Sequence, residues 1–188
     1  MSEHSVTVVR LDRTSPTERE KIVLGVQDLL LAQQVIAPND RRDASWQPSS
    51  WKAGPAARTA VAEPVDWFDA FLDTANNGVD IDGERHVHHP VENDEAPRCP
   101  ECAAEAPTVY TDTYGDWLEQ WWTAGDEPLF TCDQCGWTGP IGDWCSEFSV
   151  LIGAPAVTFF NWPPLSPTLI TAIRETLGGG TGSVVSHW

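Results

Sequence analysis

The chain has 188 residues, with 11 Lys and Arg against 28 Asp and Glu, a formal charge of −17. That length suits one domain, or one domain with a small inserted module, and a hydrophobic content of 41% excludes wholesale disorder. No run approaches the ~20 apolar residues of a membrane span, the N-terminal region is too charged for a signal peptide, and two Lys in the whole chain argue against nucleic acid as a main partner.

The charge has an address. Residues 1–60 carry a net charge of +1, residues 61–147 hold 2 basic and 20 acidic side chains for a net of −18, and residues 148–188 are neutral. Such a block reads either as a solvated surface that resists association or as an acidic face for a basic partner protein.

In chain order, His4 to Leu11 is a β-branched run that predicts a strand. Ser15-Pro16-Thr17-Glu18 then gives an N-cap, a proline at the first helical position and a capping-box glutamate. Ile22, Val23, Val26, Leu29 and Leu30 recur at helical spacing, predicting a helix over 16–35. Residues 37–62 show no period and read as a long loop, either mobile or pinned by Trp46 and Trp51 docking onto the core, with docking the favoured reading.

Pro64 opens a second helix with Trp67, Phe68, Phe71, Leu72 and Ala75 on its apolar stripe, stopped by Asn76-Asn77-Gly78. Residues 79–91 predict short strands around a turn at Asp82-Gly83. Past the cysteines, Ala156 to Trp162 predicts a strand, Ser166-Pro167-Thr168 opens a helix carrying Leu169, Ile170, Ile173 and Leu177, and Gly178 caps it. The run Gly178-Gly179-Gly180 reads as a flexible exit, and Gly182 to Trp188 as a last strand.

Both ends thus give a strand, Ser-Pro-Thr and an amphipathic helix. The expected fold is α+β, with two β-α halves forming a ferredoxin-like sandwich. Residues 1–96 and 146–188 form this scaffold, and residues 97–145 are an inserted module.

The strongest chemical signal is Cys99-Pro100-Glu101-Cys102 with Cys132-Asp133-Gln134-Cys135. Each C-x2-C turn can aim two thiolates at one metal, and two turns complete a tetrahedron. Gly136 suits the tight turn after the second pair, whereas the first has Ala103 there. Two disulfides are the alternative, and they need an oxidising compartment. The segment resembles a zinc ribbon with rubredoxin-like knuckles, set in an α+β protein of bacterial type. The resemblance implies one structural Zn2+ held by Cys99, Cys102, Cys132 and Cys135, with iron as the runner-up. The proline that rubredoxins carry after the first cysteine of the second knuckle is replaced by Asp133.

Other features compete for a function. His86 and His88 would share one face of a strand and, with Asp80, Asp82 or Glu84, could form a second, open metal site suited to hydrolysis; His89 follows them. Cys145, beside Trp144, reads as a buried thiol. Trp117, Leu118, Trp121 and Trp122 lie on one face of a short helix. They are either the core of a small module or anchors within an acidic rim formed by Asp116, Glu119, Asp126 and Glu127. No P-loop, dinucleotide-binding, zincin or nucleophile-elbow motif is present, so no catalytic or cofactor-binding residue is named beyond the metal. The expectation is a cytoplasmic, non-catalytic zinc protein that binds a basic partner through its acidic, Trp-rich centre, as an immunity or inhibitor protein would. A hydrolase using His86 and His88, or a rubredoxin-like electron carrier, are the rivals.

Overall fold

Strand β1 (His4–Arg10) alternates between two faces. Val6 and Val8 enter the main core, while Thr7 points the other way and its hydroxyl lies 3.0 Å from that of Thr158. In this computed structural model the described residues are 4–41, 49–63, 65–72, 74, 76–88, 97–107, 115–117, 119–120, 128–144 and 151–187.

After β1 come α1 (Pro16–Ala32), β2 (Ile36–Pro38), β3 (Trp51–Ala53), α2 (Asp66–Phe71), β4 (Gly78–Asp82) and β5 (His86–His88). These are followed by β6 (Leu129–Thr131), β7 (Thr138–Pro140), β8 (Leu151–Gly153), β9 (Ala156–Phe160), α3 (Pro167–Leu177) and β10 (Thr181–His187). Six strands form one sheet in the order β10-β1-β9-β4-β3-β2, each neighbouring pair antiparallel. Helices α1 and α3 lie together against one face. Val26 and Leu30 from α1, and Leu169, Ile173 and Leu177 from α3, join Val6, Val8, Val79, Val157 and Phe159 in the core. Trp162, fully buried, fills the end of that core against Phe68 and Phe159. No described helix is long and apolar enough to cross a membrane.

The two Ser-Pro-Thr openings behave alike. Ser15 accepts a hydrogen bond from the Glu18 N–H, and Ser166 from the Leu169 N–H. Glu18 does not stay within a capping box, because its carboxylate pairs with Arg10 at 3.1 Å.

Three expectations are corrected. Residues 37–62 are not a loop throughout: β2 and β3 pair as a hairpin at the sheet edge and Ala57–Ala60 is a 3-10 turn, while Trp51 packs on the main core as the docking reading expects. Trp46 lies outside the described residues. The strands on either side of Asp82-Gly83 do not pair with each other. β4 joins the main sheet, and β5 pairs with β8 as a separate ribbon (His86↔Gly153, Val87↔Ile152, His88↔Leu151). The glycine run is pinned rather than loose, since the Gly180 N–H donates to Asp12 at 2.5 Å.

Replacing Ser166 with Ala removes the α3 cap and should lower the unfolding free energy by about 1 kcal/mol in a urea titration. Thr168→Ala, at an exposed site in the same turn, should stay within about 0.5 kcal/mol of the parent.

Candidate metal centre

Two hairpins bring the four cysteines together. In the first, Arg98 and Glu105 form an antiparallel bridge, the Cys99 N–H donates to the Ala104 carbonyl at 2.8 Å, and the Ala103 N–H donates to the Cys99 carbonyl at 2.9 Å. In the second, β6 and β7 pair with Thr131 opposite Thr138. The Cys132 N–H donates to the Trp137 carbonyl and the Gly136 N–H to the Cys132 carbonyl, both at 2.8 Å. These are the same turn used twice. The residue after the second cysteine is left-handed in both, Ala103 at φ 58° and Gly136 at φ 75°. The missing glycine of the first knuckle therefore does not change its shape. Ala103 adopts the conformation despite a steric cost of about 1–2 kcal/mol.

All four sulfurs lie within 4.8 Å of one another. The Cys99 and Cys135 sulfurs are 3.7 Å apart, as are those of Cys102 and Cys132. A tetrahedron of thiolates about 2.3 Å from a central Zn2+ has edges of about 3.8 Å, so the donor set fits such an ion. None of the four is in a disulfide. The first cysteine of each knuckle is buried, Cys99 at 2% and Cys132 at 3% exposure, and the second is exposed. Among the described residues these four are the one converging set of three or more metal-ligating groups.

The backbone of each knuckle already favours negative sulfur. N–H groups of Cys135 and Gln134 hold the Cys132 thiol down at about 7. The Trp137 N–H favours the Cys135 thiolate too, but desolvation and the neighbouring sulfurs of Cys102, Cys132 and Cys99 outweigh it and push Cys135 up to about 12. Cys102 is also raised: the Ala104 N–H favours its thiolate, and desolvation with the Cys132 and Cys99 sulfurs prevails. Crowded sulfurs resist joint ionisation, and a cation between them reverses that.

Aromatic packing surrounds the sulfurs. Cys99, Cys132, Ala106, Ile141, Trp144 and Ile152 form a cluster distinct from the main core, with Val87, Trp117, Phe130 and Trp137 against it. The Phe130 ring lies 5.2 Å from Trp117 and 5.0 Å from Trp144, and Trp137 meets Trp144 edge-on at 5.9 Å. Gly139 has no room for a side chain, because the Trp137 ring occupies that space. Trp144 is thus buried within this cluster, with Trp117 and Trp137 half-buried against it. Asp116 and Glu119 flank Trp117 on helical residues and are exposed. Trp121, Trp122, Asp126, Glu127, Cys145 and His89 lie outside the described residues.

His86 and His88 do not converge on a third ligand among the described residues. The His86 Nε2 instead meets the Asp82 carboxylate at 2.9 Å. Sequence reasoning missed Val87 and Ile152, paired strand neighbours that close the sulfur cluster. It also missed Asp143, which lies 3.5 Å from Arg13 and 3.4 Å from Arg85. A lone acid after a knuckle carries no local signal for partners so far away in sequence.

No protein-family model, curated protein or solved structure matches the chain.

Two outcomes follow for the knuckles. Ala103→Gly should raise the unfolding midpoint, with a net gain of about 0.5–1 kcal/mol after the entropic cost of glycine, and Gly136→Ala should lower stability by about 1 kcal/mol or more. Metal binding should also weaken as pH falls through 7, because protons then compete for Cys132 as they already do for Cys135. Chelator competition at pH 6, 7 and 8 checks the sign, and affinity should be lowest at pH 6.

Proposed function

We propose that the four cysteines hold one structural Zn2+, and that the chain is a non-catalytic binding protein whose acidic, Trp-rich centre takes a basic partner protein. Immunity or inhibitor proteins act in this way. The observation that carries the metal reading is the pair of 3.7 Å sulfur separations across the two knuckles. Four thiolates fill a tetrahedral ion, leave no position for substrate, and so serve the fold.

The partner reading rests on the −18 charge of residues 61–147. Around the sulfurs, Glu101, Glu105, Asp116, Glu119 and Asp133 are exposed, and Arg98 is the one basic residue of segment 97–145. A concentrated field of one sign steers and selects an oppositely charged surface.

In this reading residues 97–145 are a zinc ribbon inserted in a ferredoxin-like scaffold. The strand order β10-β1-β9-β4, with α1 and α3 on one face, supports the scaffold. A centre of four metal-binding thiolates would suit a reducing compartment such as the cytoplasm.

Elemental analysis of protein expressed without added metal tests the site. About one zinc per chain, lost together with the knuckle structure in Cys99→Ser, is expected. A red protein with one iron would make the centre rubredoxin-like, and no bound metal would remove the reading. For the partner, capture from cell extract should weaken as salt rises, and the captured protein should bind Asp116→Asn/Glu119→Gln less tightly. A salt-insensitive complex would contradict the acidic-face reading.

A further inference from the structure

Residue exposure divides the four cysteines into two pairs. Cys102 and Cys135 are exposed residues, and Cys99 and Cys132 are buried. The 3.7 Å neighbours join one of each kind, Cys135 with Cys99 and Cys102 with Cys132, and both pairs cross from one knuckle to the other. An exposed thiolate beside a second thiol is the arrangement in which oxidation ends reversibly in a disulfide.

We propose that the metal centre is a site of peroxide-class oxidation, in which Cys102 and Cys135 are attacked and Cys132 and Cys99 resolve them into two cross-knuckle disulfides. The inference rests on the four cysteines holding Zn2+. In each pair the exposed sulfur attacks one peroxide oxygen, an S–O bond forms, the O–O bond breaks, and the departing hydroxide takes a proton to become water. The buried sulfur then attacks the oxidised one, an S–S bond forms, the S–O bond breaks, and a second hydroxide leaves as water. Each pair loses two electrons to one peroxide, and two peroxides empty the site of its ion.

The pairing determines the consequence. Disulfides within Cys99–Cys102 and Cys132–Cys135 would leave the knuckles unconnected once the metal departs. Disulfides across them replace the tie that the metal provides. The aromatic cluster of Phe130 and Trp137 on the second hairpin and Trp144 just beyond it then keeps its place against Cys99 and Ala106. Oxidation by this route exchanges an ion for covalent links without unfolding the module, and a thiol reductant with Zn2+ restores the starting state.

The test uses the full chain, loaded with Zn2+ and treated with hydrogen peroxide in the presence of a chromogenic zinc indicator. Release of one zinc per chain is expected. Peptide mapping without reduction should give Cys99–Cys135 and Cys102–Cys132. Tryptophan fluorescence should stay close to that of the zinc form, and dithiothreitol with zinc should reverse the change. A sulfenic-acid trap applied early should label Cys102 and Cys135 several-fold more than Cys99 and Cys132, a readout that needs no destabilising variant. Disulfides within each knuckle, labelling led by the buried cysteines, sulfinic acid without disulfide, or zinc retained under peroxide would each overturn the inference while leaving the metal reading intact. A reduced chain that binds no zinc before oxidant is added would end both.

Discussion

Four thiols gathered within 4.8 Å cannot all ionise unless a cation sits among them. That constraint organises the middle of the chain. The knuckle N–H groups lower Cys132, while crowding raises Cys102 and Cys135. The backbone thus prepares for negative sulfur, and the side chains resist it until an ion arrives. The cluster around Cys99 and Cys132 is small beside the main core. A cluster with so little apolar area to bury is of the kind that a bound metal stabilises, and the proposed Zn2+ would supply that closure.

The centre is tied to the rest of the molecule by β8. Ile152 enters the sulfur cluster, whereas its neighbour Leu151 packs with Val9, Ala156 and Val184 on the main sheet. Gly153 lies so close to the Arg10 carbonyl that a side chain would not fit. Asp143, one turn beyond the second hairpin, adds a polar tie to Arg13 and Arg85. Arg85 is mostly buried and Asp143 is one-third exposed, so this tie counts for more than an open surface pair. β8 in turn leads directly into β9, one of the two central strands of the sheet.

Much of this was legible from local pattern. The C-x2-C spacing picked out the four cysteines that converge, the Ser-Pro-Thr openings marked the starts of α1 and α3, and β-branched or aromatic runs located β1, β9 and β10. The unread parts depend on distant partners. β8 is three residues long and defined by pairing with β5, more than sixty positions earlier, a relation that no window of sequence contains. β2 and β3 are equally short and hide in a Pro- and Ala-rich stretch. Ala103 in place of glycine reads as a departure from the knuckle pattern, yet the surrounding hydrogen bonds impose the left-handed turn on it. The tryptophans were ambiguous because burial is a property of the folded cluster. Trp144 proves to be buried in it, with Trp117 and Trp137 half-buried against it.

The central claim is that Cys99, Cys102, Cys132 and Cys135 form one closed tetrahedral zinc–thiolate centre, and X-ray absorption at the zinc edge of the purified protein tests it most directly. A first shell of four sulfurs at about 2.3 Å, with no nitrogen or oxygen, is predicted. A shell that includes imidazole nitrogen or carboxylate oxygen would contradict it and move the centre away from the two knuckles.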